Sequence, residues 1–319
     1  MDQLAIADRR QLRRKLSFWR LTAICLIALA GLGAFLFSSS GSTGAIGRSH
    51  IARVTISGII QDDRELLSRL NEIAKNDAVK GLIVTISSPG GTTYGGEVIY
   101  KALRKVSEKK PVVSDVRTLA ASAGYMIALA GDQIVAGETS ITGSIGVIFQ
   151  YPQIKDLMDK VGVSLEEIKS APLKAEPSPF HPASDEARAV IQAMINDSYN
   201  WFVDLVVERR KLPRPEALRL ADGRIFTGRQ ALRDKLVDQL GGDDEIRAFF
   251  ETRKVSKDLP VLEWEAPKSS LPFGLGAIAT DWAKSLGYEV FPIFGSLEKW
   301  GRDKLFLDGL VSVWQVGSD

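Results

Sequence analysis

Histidine is nearly absent from this chain: His50 and His181 are the only two in 319 residues. They stand far apart, which argues against a histidine-rich zinc site and leaves any nucleophile without an obvious imidazole base. Cysteine is scarcer still. Cys25, the single one, lies inside an apolar run, so disulfides within the chain and cysteine-based metal sites are excluded. Net charge is small, +2 at pH 7, and no Lys/Arg patch interleaved with aromatics occurs beyond the N-terminus, which argues against nucleic acid as a partner. There is no internal repeat. The 45% apolar and 25% charged content, over this length, suffices to bury one good-sized core or two small ones.

The longest apolar run lies near the N-terminus. From Leu21 to Phe37 every residue but Thr22 is apolar or small, and at about 1.5 Å per residue the run approaches the roughly 30 Å hydrocarbon core of a bilayer. Arg9, Arg10, Arg13, Arg14, Lys15 and Arg20 precede it and hold the N-terminus in the cytoplasm. Residues 1–20 therefore read as a cytoplasmic basic tail, 21–38 as a single-pass transmembrane anchor and 39–49 as a flexible Ser/Gly linker, with the remainder across the membrane. A cleaved signal peptide is the competing reading, since 38–42 offers small residues for processing. A lipoprotein is disfavoured because Ile24 stands where a small residue must precede the lipidated Cys25.

Beyond the linker, strand and helix patterns alternate. Strands are predicted over 51–60, 81–87, 111–116 and 133–136, and helices over 63–75, 94–107 and 121–130, which means βαβ units in a mostly parallel sheet. The later half is more helical, with 154–161, a long 184–211 segment N-capped by Ser184, and 243–252 after Gly241-Gly242. Residues 256–319 change character: Trp264, Trp282, Trp300 and Trp314 fall there, four of the six tryptophans. This C-terminal extension either packs on its own domain, contacts another subunit or lies at the bilayer interface.

Two runs follow apolar strands: Ser88-Pro89-Gly90-Gly91 and Ala120-Ala121-Ser122-Ala123-Gly124-Tyr125. Glycines between a strand and a helix let backbone N–H groups converge on an oxyanion or a phosphate, although Pro-Gly-Gly also marks ordinary turns. A serine among alanines at a helix start is a nucleophile or merely a cap. In combination, small neighbours would let a peptide backbone reach Ser122, and the Ala123 N–H would join those of Gly90 and Gly91 in an oxyanion hole. The base is then missing. Lys174, among small and apolar neighbours in 170–175, is a candidate if desolvation lowers its pKa from about 10.4 toward neutrality, although most lysines are solvated surface charges.

These runs, together with 140–148, Ile168-Lys169-Ser170 leading to Lys174, Ala221-Asp222-Gly223-Arg224 and 236–241, resemble the signal peptide peptidase A family in its short bacterial form, over about residues 50–250. The resemblance implies a ClpP/crotonase-like α/β fold of repeated ββα (βαβ) units, as a single Ser/Lys protease domain at 50–255 behind a transmembrane helix. It implies a serine endopeptidase of the bacterial inner membrane that degrades cleaved signal peptides without cofactor or metal. Ser122 would be the nucleophile, Lys174 the base, and Ser144 the residue that orients the lysine. It also implies a homo-oligomeric, octameric ring in which Ser122 and Lys174 come from adjacent subunits. The chain departs from the family at Ala123, where glycine is common, and at Ala175, where an acidic residue is common. Three alternatives stand beside this reading: a crotonase-like acyl-CoA or thioester enzyme, a non-enzymatic ring-forming membrane scaffold, and a triad with His181 as base.

Overall fold

The computed structural model describes residues 19–26, 29, 31, 48–265 and 310–314. The chain divides into a unit of Met1–His50 and a unit of Ile51–Asp319. In the first, residues 19–26 are helical. The expected basic tail, anchor and linker fall for the most part outside the described residues. Among the described residues no helix is long and apolar enough to cross a membrane.

The βαβ alternation expected from the pattern is present. Strand β1 (His50–Ile60) leads to helix α1 (Arg64–Lys75), then β2 (Val79–Thr92), α2 (Thr93–Ser107), β3 (Val112–Ala121), α3 (Ala123–Ala128), β4 (Gln133–Ala136) and β5 (Ile141–Gly143). Local chemistry sets several of these boundaries. Asp63 caps α1 by accepting the Leu66 N–H at 2.9 Å, and Leu66, Leu70, Ile73 and Ala74 make its buried stripe. Thr92 caps α2 through the Gly95 N–H at 3.0 Å.

The second half carries α4 (Lys155–Lys160), α5 (Asp185–Arg210), α6 (Arg214–Leu220), β6 (Ile225–Thr227), α7 (Gly228–Arg233), β7 (Gln239–Leu240) and α8 (Asp243–Thr252). Strands β8 (Val261–Glu263) and β9 (Val311–Val313) follow. Of the C-terminal extension, these two short strands lie on the sheet, while Trp282 and Trp300 are outside the described residues.

The sheet runs β6-β5-β3-β2-β1-β8, with β4 and β9 added on β3 and β2. Most pairings are parallel; β2 with β9 and β5 with β6 are antiparallel. Apolar side chains cover both faces, as a parallel sheet demands. On β2, Leu82, Val84 and Ile86 join the main core with α1, α2, α3 and α5, while Ile83 faces the opposite cluster around Ile246 and Phe250 of α8. Each such fully buried side chain contributes about 1.5–3 kcal/mol.

Two features of the sheet build the site. The β2–β3 register runs from Leu82↔Val112 to Ile86↔Val116 and resumes at Ser88↔Ala120, so four steps on β3 oppose two on β2. Strand β3 also changes partner, from β4 over Val113–Val116 to β5 over Leu119–Ala121. The ends of β2, β3 and β5 thereby converge. Strand β2 itself extends through the Ser-Pro-Gly-Gly run to Thr92, past the predicted end at residue 87, because β9 pairs with its last residues.

Candidate active site

Strand β3 ends at Ala121 and α3 begins at Ala123, so Ser122 alone turns the chain from strand to helix. It does so at φ 58° and ψ −119°, a conformation that costs a non-glycine residue of order 1–3 kcal/mol. Its N–H donates to Gly143 O at 2.8 Å, which anchors the turn on β5. Ser144 follows β5 in the same manner. Ala121↔Gly143 is the last paired position, and Ser144 takes φ 52° with its N–H on Arg224 O at 2.8 Å. Ser122 and Ser144 thus leave the ends of two paired strands side by side, 1% and 7% exposed.

The Ser88-Pro89-Gly90-Gly91 run approaches Ser122 from β2. Ser88 Oγ donates to Gly58 O at 2.6 Å and accepts the Gly90 N–H at 3.1 Å, so the Gly90 donor is turned inward onto its own loop. Gly90 sits at φ 113°, where a Cβ would lie 3.0 Å from the Ser122 Cβ and 2.2 Å from Ser312 O. A Cβ on Gly91 would lie 1.9 Å from Ile60 O. Only glycine lets these backbones come so close. Ala123, at the start of α3, has an N–H that cannot bond within its own helix, and it is fully buried beside Ser122.

One further participant, which the sequence pattern did not single out, is Ser312. Strand β9 lies antiparallel to β2 with Gly91 opposite Ser312. Trp314 N–H donates to Pro89 O at 2.8 Å and Thr93 N–H to Leu310 O at 3.2 Å, which makes Gly91 and Ser312 the hydrogen-bonded pair between them. The Ser312 hydroxyl contacts the Ser122 hydroxyl and donates to Gly146 O at 2.8 Å. Alternating Val311-Ser312-Val313 reads locally as a strand; nothing near it in sequence names its partner.

Lys174 is placed elsewhere. It is exposed in a turn, with its N–H on Ala171 O at 3.0 Å, and it makes no hydrogen bond to Ser122 within the chain. The histidines are also engaged elsewhere. His50 is buried with Nδ1 2.7 Å from Arg48 O. His181 Nε2 lies 3.2 Å from Glu176 and 3.4 Å from Glu167, in a cluster closed by the Lys169 ammonium at 2.7 and 2.6 Å from the same carboxylates. Hydrogen bonds from Lys169 hold both carboxyls below their usual range, and the lysine is raised in turn, chiefly by Glu167. Glu167, Glu176 and His181 could together ligate a metal ion, but Lys169 already supplies the cation they face.

Tyr125 lies three residues past Ser122. It is fully buried in α3, its hydroxyl donates to Leu236 O at 2.8 Å, and burial drives its pKa upward, so it remains a neutral donor.

Comparison with known proteins shows the family to which the chain belongs. The family model described as Peptidase family S49 matches residues 104–256, and that described as Clp protease matches 51–140. A protein of Synechocystis sp. provisionally named a protease is 39% identical over 206 residues, covering 64% of this chain and 74% of that one. A protein of Methanocaldococcus jannaschii, also provisionally named a protease, is 34% identical over 67% of this chain and 69% of its own. A protein of Enterococcus faecium provisionally named signal peptide peptidase SppA is 34% identical over 67% of each.

Proposed function

The chain belongs to peptidase family S49 and is a serine endopeptidase with a ClpP-like fold, and from that premise we propose that Ser122 is its nucleophile and Lys174 its general base. The thioester-enzyme and scaffold readings give way to the peptidase. The observation that carries the assignment is the turn at Ser122: a buried serine at a strained strand-to-helix junction, with the Ala123 N–H on one side and the close approach of the Gly90-Gly91 run, through Gly90, on the other.

In this mechanism the neutral amine of Lys174 takes the Ser122 proton as Oγ attacks the peptide carbonyl carbon. The N–H groups of Gly91 and Ala123 receive the developing oxyanion, while Gly90, its own N–H held by Ser88, supplies room. Lys174 then protonates the leaving amine, and water, deprotonated by the same lysine, attacks the acyl-enzyme and releases Ser122. Ser144, beside Ser122 at the end of β5, orients the lysine.

The lysine must arrive from a neighbouring subunit. Lys174 is exposed while Ser122 is buried, and the segment leading to Lys174 carries Leu157, Val161, Val163, Leu165 and Ile168 at the surface. Such a concentration of exposed apolar side chains fits a subunit contact, in keeping with an octameric ring. The substrates are membrane-derived peptides, cleaved signal peptides among them, as the name of the Enterococcus faecium relative suggests. The basic run and the apolar 21–38 segment support a single-pass anchor in the bacterial inner membrane, with the protease domain, residues 50–255, on the far side.

Mixing inactive Ser122→Ala with inactive Lys174→Ala subunits tests the shared site. Peptidase activity returns in the mixed oligomer if the two residues meet across an interface. Mixed oligomers that form and stay inactive would refute the shared site.

A further inference from the structure

Strand β9 occupies the place where a peptide substrate would have to lie. On one side its backbone pairs with Gly90, Gly91 and Thr92 of β2. On the other, Val311 exchanges two hydrogen bonds with Ile148, N–H to O at 3.1 Å and O to N–H at 2.9 Å. The Leu310 carbonyl accepts from the Thr93 hydroxyl at 3.1 Å as well as from its N–H. An extended segment held by both edges of a cleft is how a peptide strand is recognised, through main-chain bonds. Here the segment is the chain's own C-terminal region, and Ser122 beneath it is 1% exposed.

The hydroxyl arrangement says what this segment does to Ser122. The Ser312 hydroxyl has one proton, and it goes to Gly146 O. In its contact with Ser122 the Ser312 oxygen is therefore the acceptor, and the Ser122 proton is committed to it. Ser122 faces a side-chain hydroxyl, and the Gly91 N–H, its oxyanion donor, is spent on the Ser312 carbonyl. The nucleophile and one of its two oxyanion donors are thus both occupied by β9.

We propose that residues 310–314 form an intramolecular blocking strand, which fills the peptide cleft over Ser122 and must be withdrawn before a peptide substrate can bind. This rests on the assignment of Ser122 as nucleophile. Two states follow, tail in and tail out, and whatever binds only one of them sets the activity.

The test uses the full chain. Ser122 is labelled with a fluorophosphonate probe in the wild type, in Val311→Asp and in Ser312→Ala, with Ser122→Ala as the blank. Val311 is 5% exposed in the cleft, so a carboxylate there expels the strand, and labelling is expected to quicken about tenfold or more. Ser312→Ala frees only the Ser122 hydroxyl, for a rise of about two- to threefold. A synthetic peptide with the sequence of residues 310–314 should slow labelling of Val311→Asp back toward the wild-type rate. Equal rates in all three proteins, with no effect of the peptide, would overturn the blocking strand and leave Ser122 as nucleophile. Wild-type chains found by mass spectrometry to be cut within 310–314 would overturn it too, since the segment would then be a substrate. No specific label in any of the three would instead overturn the assignment of Ser122.

Discussion

Ser122 holds an unfavourable backbone conformation because its neighbours leave it no other. The N–H is fixed on Gly143 O, Ala121 is committed to the ladder with β5, and Met126 N–H takes the Ser122 carbonyl at 2.9 Å as α3 begins. Strain of this kind persists only where surrounding structure over-determines it. Asp115, a buried polar residue on the strand that leads into Ser122, has a different cost. Asp115 is 3% exposed, accepts from Thr85 Oγ1 at 3.2 Å and lies 3.8 Å from Arg117. Burial pushes its carboxyl up from the usual 3.8, with Arg117 pulling in the opposite direction. The folded protein therefore holds this proton more tightly than the unfolded chain. Its contribution to stability is fully present below pH 3.8 and is lost as pH rises through the folded pKa. Asp115→Asn removes that loss, so its melting temperature should exceed the wild type's at pH 7, with the gap closing by about pH 4. Thermal unfolding followed across that range checks it; a gap that widened toward acid would mean that the carboxylate form is the stabilised one.

At the scale of elements, the long helix α5 is thinly packed over its N-terminal half. Of its 26 residues, only Ala187, Phe202, Val203, Leu205 and Val206 are buried, four of the five toward its C-terminal end. Its first turns lean on the cap, where Ser184 Oγ accepts the Ala187 N–H at 3.1 Å. Ser184→Ala should cost about 1 kcal/mol and raise amide hydrogen exchange in the first turns of α5 while leaving β2 and β3 protected. Unchanged exchange there would mean that something other than the cap holds the helix start.

That dependence on local chemistry is also why α5 was legible in the sequence, along with α1, α2 and α8. A cap three residues before its N–H partner, and an apolar stripe at helical spacing, are written within one turn or two. The approach of the Gly90-Gly91 run to Ser122 was legible because βαβ order brings strand ends together, whereas Ser144 was named only through the family resemblance and its strand β5 was not predicted. The extension of β2 to Thr92 and the entry of Ser312 into the site were not. The Thr93–Leu310 bond spans 217 positions and the Ser122–Ser312 contact 190. No window of local pattern contains both partners of a pairing that distant. Lys174 was singled out by its small and apolar neighbours, and the fold leaves it exposed, as the proposed meeting with Ser122 across a subunit interface requires.

For the whole molecule, catalysis and assembly should then be one property. Among the described residues no lysine or histidine makes a hydrogen bond to Ser122, and the surface from 157 to 168 carries Leu157, Val161, Val163 and Leu165 at least half exposed and Ile168 fully so. A second copy of the chain covering that surface would desolvate these side chains and carry Lys174 into the interface. Ile168→Asp separates the two consequences. A side chain that is 100% exposed contributes little to the stability of its own subunit, so the melting temperature of the isolated chain should stay within about 0.5 kcal/mol of equivalent stability. At the interface, an unpaired carboxylate in an apolar patch opposes association. Light scattering on the eluting protein should show the mass falling toward that of one chain, and peptidase activity should fall with it by about tenfold or more. Activity that survived in a protein of single-chain mass would place both halves of the dyad in one subunit and remove the need for a ring.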